Sequence, residues 1–226
     1  MKKISLILLL ATSTLFSKET SFFNTAQLAQ WREMEECVTE VRDGRGMPID
    51  DQIKDLVIVL NLLGIKTSQS CEGHLNWGLP FPWVEFCPWE DITKLDAQKE
   101  KVLEKIAEIE SEIARLENEQ PGSDLEELFN KWEIQCQENS MIFQQIHELQ
   151  CKSEKKMWDL LDEFYGSRDN YNIHSLVVRD WRVFPLGGEW KGRYTGKDIE
   201  KNLSSYRKEM DAFKEFLIKK YASLNQ

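Results

Sequence analysis

Ser70-Cys71-Glu72-Gly73-His74 places a thiol, a carboxylate and an imidazole within four consecutive residues. These side-chain types transfer protons, attack carbon and bind metals near neutral pH. Gly73 permits a left-handed backbone, which would swing His74 back toward Cys71. Three chemistries are open to such a segment. Cys71 could be a nucleophile with His74 as its base, which requires a neighbouring imidazole or positive charge to stabilise the thiolate. Cys71 and His74 could be two ligands of a structural zinc completed by Cys87 or His174. A single C-x-x-H lacks the second ligand pair that would define a zinc motif. Alternatively the residues are structural: a buried thiol, a turn glycine and a histidine bonded to backbone. We take Cys71, Glu72 and His74 forward as candidate catalytic groups, with no metal and no cofactor assigned.

An aromatic and proline cluster follows: Trp77, Pro80, Phe81, Pro82, Trp83, Phe86 and Trp89. Exposed tryptophans beside a turn can stack on sugar or base rings, whereas buried ones would simply cover the sheet. Trp77 and Trp83 are the candidate ligand-contacting members. Arg179, Arg182, Lys191 and Arg193, near Gly187-Gly188, could form an anion pocket or a solvated charged face. Arg179 and Arg182 join the candidate ligand-binding set. No P-loop, G-x-G-x-x-G or G-x-S-x-G occurs, so P-loop NTPase, kinase, Rossmann dehydrogenase and α/β-hydrolase readings drop.

The elements that must position these groups can be read from periodicity. Leu28, Trp31, Met34, Cys37 and Val38 form a helical stripe across 25–41. Pro48 and Asp50 open a second helix with Ile53, Leu56, Val57, Leu60 and Leu63 on one face and Gly64 as its stop. A strand then runs from Ile65 to Cys71, and Trp83 to Cys87 forms a second, ended by Pro88. Between 92 and 118, Leu95, Val102, Ile109 and Leu116 repeat every seven residues, with Ile106 and Ile113 interleaved. Pro121-Gly122 breaks the pattern, and Ser123 with Glu126 suggests a capping-box restart. The next helix carries Phe129, Trp132, Cys136, Asn139, Phe143, Ile146, Gln150, Ser153 and Met157 at 4-3 spacing. Two such helices joined by a short loop predict an antiparallel coiled-coil hairpin, whose longer second helix should end against the globular part. Ser175 to Trp181 and Arg182 to Leu186 read as strands, and a last helix runs from about Lys197 to Tyr221.

The expected fold is therefore α+β: a small, mostly antiparallel sheet packed with helices and interrupted by the hairpin. A signal peptide is expected in 1–17, a single domain in 18–90 and 166–226, and the inserted hairpin in 91–165. The N-terminal pattern is Met1-Lys2-Lys3, an apolar run from Ile4 to Leu10, then small residues. The run is too short for a bilayer span, so no stable membrane span is expected after processing. A cleaved signal would place the protein in the periplasm or outside the cell; otherwise it is cytoplasmic. Five cysteines, an odd number, look more like buried thiols than a disulfide framework. The net charge of −10 argues against generic nucleic-acid binding. The stretch 166–226 is locally basic, with 12 Lys/Arg against 8 Asp/Glu, and could hold an anion.

One resemblance bears on the first half of the chain. Pro48-Ile49-Asp50, Ile53-Lys54, Leu60-Asn61-Leu62-Leu63-Gly64, Thr67, Ser70-Cys71-Glu72-Gly73-His74 and Pro82-Trp83-Val84 resemble a bacterial family of uncharacterised proteins. Its members share P-I-D-x-x-I-K, L-N-x-L-G, T-x-x-S-C-E-G-H and a P-W-V strand. The resemblance implies a site at Cys71, Glu72 and His74 and brings no activity with it. A fainter local similarity, a helix followed by a strand ending in S-S-C-S-G-R, links the segment to the wybutosine-synthesis Tyw3 proteins, which bind tRNA and S-adenosylmethionine. Here His74 replaces the arginine and Glu72 adds negative charge. The function expected is a small-molecule or nucleotide-type ligand site at this segment. The alternatives are a protein-binding hairpin without catalysis and a structural zinc protein.

Overall fold

The computed structural model describes residues 23–121, 124–166, 168, 171–189 and 196–224. The signal peptide read in 1–17, the Ser123 cap, and Lys191 and Arg193 of the basic cluster lie outside these residues. The chain divides into two units, one running up to Phe86 and resuming at Lys156, the other spanning Cys87–Lys155.

The first unit is α+β. Helices α1 (Thr25–Glu40) and α2 (Asp51–Leu62) precede strands β1 (Gln69–Cys71) and β2 (Trp83–Glu85). After the second unit come β3 (Leu176–Arg179), β4 (Arg182–Pro185) and the final helix α5 (Gly196–Ser223). The four strands form one antiparallel sheet in the order β1-β2-β4-β3, so the insertion falls between β2 and β3 in sequence. Both faces of the sheet are covered. Val84, Phe86, Leu176, Val178 and Val183 pack against Ile53, Leu56 and Leu60 of α2 and against Met210, Phe213 and Leu217 of α5. Val177 and Phe184 pack with Phe81 and Tyr206 in a second cluster.

Local chemistry sets the joints. Asn24 and Gln27 make a reciprocal capping box at the start of α1. The Gln27 amide, 1% exposed, also donates to the carbonyls of Tyr221 (2.9 Å) and Ala222 (3.2 Å), satisfying the C-terminal end of α5. Helix α2 ends at Gly64 as expected: Ile65 N–H donates to Leu60 O and Gly64 N–H to Asn61 O, both at 2.9 Å. The Asn61 side chain then reaches Thr67 Oγ1 at 2.7 Å, tying the helix end to the approach of β1.

The strand expected from Ser175 to Trp181 is shorter. Asp180 and Trp181 form the two-residue turn of the β3–β4 hairpin, with φ of 50° and 57°. Such turns need positive φ at both central residues; Asp180 is a usual first residue, but Trp181 stands where glycine is usual.

The second unit contains α3 (Trp89–Glu119) and the part of α4 (Glu126–Tyr165) up to Lys155. Trp132 Nε1 donates to Glu110 (3.0 Å) and Lys99 lies over the Phe143 ring (5.9 Å), two pairings centred on Pro121. The helices therefore run antiparallel about the expected tip. On α3 the inward set is the expected one, with Val102 buried and Leu95, Ile106, Ile109, Ile113 and Leu116 half-buried. On α4, Cys136, Asn139, Ile146, Gln150 and Ser153 of the expected stripe are half-buried. Leu128, Gln135, Ile142 and Leu149, one residue earlier than Phe129, Cys136, Phe143 and Gln150, are also half-buried or buried, whereas Phe129 and Phe143 are 50% and 63% exposed. Two stripes on α4 share the same spacing. The gap between two helices takes leucine and isoleucine more readily than phenylalanine, so the aromatic stripe is displaced to the flank. The last turns of α4, from Met157 to Phe164, belong to the first unit and supply Met157, Leu160, Leu161 and Phe164 to its core.

Candidate functional site

Three elements build the site: the start of α2, the turn that follows β1, and the middle of α5. Gly73 has a φ of +81°, and a Cβ there would lie 2.6 Å from the Phe81 carbonyl carbon and 2.8 Å from Leu203 Cδ1. Only glycine fits, on both backbone and steric grounds. The turn is closed a second time where His74 N–H donates to Leu79 O at 3.0 Å.

As expected, the bend brings Cys71 and His74 together. Their companion is Asp50, read from sequence only as a helix opener. Asp50 precedes the first turn of α2, yet its side chain makes no capping bond there. Its Oδ2 instead accepts from Glu72 N–H at 3.0 Å and lies 3.3 Å from His74 Nε2. One ligand-type atom each from Asp50, Cys71 and His74 lies within 4.8 Å of the others. Cys71 is 7% exposed and accepts a bond from Gly73 N–H at 3.3 Å. Burial pushes its thiol pKa up, the charges of Asp50 and Glu72 push it further, and the Gly73 amide opposes them.

Glu72 points the other way. Its Oε2 accepts from Gln52 N–H (3.3 Å), filling the capping role that Asp50 leaves, and its Oε1 meets Arg207 at 3.2 Å. Arg207 also donates to the carbonyls of Glu72 (3.0 Å) and Gly73 (2.6 Å), fastening the turn to α5. A shallow depression beside this pair is walled by Gln52, Leu56, Pro82, Met210 and Lys214.

The remaining candidates distribute unevenly. Trp77, 58% exposed, stacks on His74 with ring centroids 3.7 Å apart and planes 18° from parallel. Trp83 is the cross-strand partner of Cys71. Arg182 lies over the Trp83 ring (4.7 Å), but its Nε and Nη2 both bond Glu85 Oε2, at 3.0 and 2.8 Å, so its charge is engaged by a buried carboxylate. Arg179 is exposed and pairs with Arg182 at the turn end of the β3–β4 hairpin. Phe81 and Phe86 are core residues. As for the zinc partners considered from sequence, His174 is not among the three clustered groups and Cys87 falls in the second unit.

Sequence reasoning missed Asp50 and Arg207. Asp50 was legible only as a helix start. Arg207 sits between Leu203 and Met210 on the edge of the apolar stripe of α5, a place for a cation that reaches back to the core. Comparison with family models, with curated proteins and with solved structures finds no match, so function has to be argued from this chemistry.

Proposed function

We propose that the protein binds a small polar molecule, of metabolite or nucleotide type, at the turn from Cys71 to Trp77. The observation that carries this reading is the convergence of Asp50, Cys71 and His74 beneath an exposed indole. Polar and ionisable groups that converge beside an apolar ring face are what a small ligand needs for orientation and for stacking. The outer face of Trp77 would receive a planar ring, and such stacking contributes about 1–3 kcal/mol per ring. Glu72 and Arg207 hold the turn rather than the ligand. The test is saturation-transfer NMR against a panel of nucleosides, nucleotides and small acids. Cys71→Ala and His74→Ala should lose the bound ligand while melting near wild type, and Trp77→Ala should weaken it. Unfolding of both of the first two variants, or unchanged binding by all three, would end the proposal.

A second reading is favoured by a separate observation. Phe129 and Phe143, two heptads apart on one flank of α4, are half or more exposed. A hairpin with such a flank is suited to receive an amphipathic helix of a partner protein. Phe129→Ser with Phe143→Ser should abolish co-purification of a partner without loss of helical circular dichroism. Undiminished recovery of that partner by the double variant would refute it.

A further inference from the structure

We infer that Asp50, Cys71 and His74 are three ligands of a divalent, zinc-type cation whose remaining position is open to water or to the bound molecule. The inference rests on the ligand site proposed above and names the group that would hold the ligand's polar end. Zinc bonds to sulfur, nitrogen and oxygen are about 2.0–2.3 Å long, so tetrahedral ligand atoms lie roughly 3.3–3.8 Å apart. Asp50 Oδ2 and His74 Nε2 are 3.3 Å apart, and all three atoms fall within 4.8 Å, which small side-chain rotations can close. A thiolate, a carboxylate and a neutral imidazole together carry two negative charges and would neutralise a dication.

The surroundings match what such ligands require. Metal-bound anions are oriented by donors in the next layer. Here the Glu72 amide donates to Asp50 and the Gly73 amide to the Cys71 sulfur. The His74 ring is held by the stacked Trp77, which leaves Nε2 facing Asp50. The three ligands come from a helix start, a strand end and the turn after it, and the helix start is tied to that turn by the bonds from Glu72 N–H to Asp50 and from Gln52 N–H to Glu72, so the set is assembled before any ion arrives. Three protein ligands with one open position describe a reactive or ligand-binding metal rather than a structural one, which would take four. Glu72 is not a member, because its carboxylate is engaged by Arg207 and Gln52.

The experiment is a cobalt(II) titration of the full chain, stripped with chelator and kept reduced. One equivalent should bind, with a sulfur-to-cobalt charge-transfer band and the intense visible bands of tetrahedral coordination. Cys71→Ser should lose the charge-transfer band, and Asp50→Asn and His74→Ala should each weaken binding at least tenfold. A second thiol–imidazole pair, Cys151 and His147 at 3.5 Å on exposed α4, could take cobalt adventitiously. The His147→Ala, Cys151→Ser double variant should therefore keep the full signal. No band at a tenfold excess of cobalt, a band that survives Cys71→Ser, or a band that vanishes with the Cys151 pair would overturn the inference. If Cys71→Ser fails to fold, Asp50→Asn decides: wild-type cobalt affinity in that variant overturns it. Ligand binding by chelator-treated protein without any cobalt band would overturn the metal while leaving the ligand site standing.

Discussion

Gly73→Ala should destabilise the protein by about 2–5 kcal/mol, in two separable parts. The first is conformational: at φ +81° an alanine occupies the left-handed region, at a cost of about 1–2 kcal/mol. The second is steric. The new methyl would sit 2.6 Å from the Phe81 carbonyl carbon, 2.8 Å from Leu203 Cδ1 and 2.9 Å from Pro82 N. Two of these neighbours are backbone and cannot rotate away, so overpacking adds about 1–3 kcal/mol. At about 2–4 °C per kcal/mol for a unit of this size, the melting temperature should fall by about 4–20 °C. Two controls separate the parts by differential scanning calorimetry. Gly46 has φ +79° and open space where a methyl would go, with nothing within 4 Å, so Gly46→Ala should show only the conformational part, about 1–2 kcal/mol. Gly44 has neither feature, and Gly44→Ala should stay within about 0.5 kcal/mol of wild type. A Gly73→Ala protein that melts with wild type, or no lower than Gly46→Ala, would refute the claim that this turn is sterically locked. The positioning of Cys71 and His74 would then need another cause.

Three further outcomes follow from the same structure. Gln27→Ala removes the donor for two carbonyls at the end of α5 and should lower stability by about 1–3 kcal/mol in urea unfolding. Burial raises the pKa of Asp55 above its usual 3.8, against the opposing pull of Lys214 and Lys54. A carboxyl whose folded pKa is raised stabilises the protein only while protonated, and that stability is lost as pH rises through the folded value. Asp55→Asn should therefore melt above wild type at pH 7, with the gap closing below about pH 4. Tyr165 is the alkaline counterpart. Its hydroxyl accepts from Leu176 N–H and donates to Glu209, and burial holds its pKa well above the usual 10. Its contribution should be intact below pH 10 and decline above it, and Tyr165→Phe should flatten that decline in a pH series of melting curves.

Much of the fold was legible because it is written in short-range pattern. The apolar period of α2 and its Gly64 stop, the seven-residue repeat of α3, the break at Pro121 and the β2 strand before Pro88 all depend on neighbours within about a turn or two. Cys71, Gly73 and His74 were visible for the same reason, since they lie within four residues. Choices between near-equal local options depended on tertiary contact. Leu128 and Ile142 rather than Phe129 and Phe143 face α3, because the inter-helix gap selects side-chain shape, which the period alone does not report. Asp180-Trp181 turns the β3–β4 hairpin without glycine or asparagine because the paired strands hold it there.

The site shows the same division. Residue types and a tight bend determined that a thiol and an imidazole could meet. Which carboxylate joins them was decided by the fold: Asp50, 24 residues from His74, turns inward, while Glu72 is drawn away by Arg207 from a helix 135 residues distant. Hydrogen bonds and charge pairing between distant segments depend on where packing delivers the backbone, and sequence spacing carries no record of that.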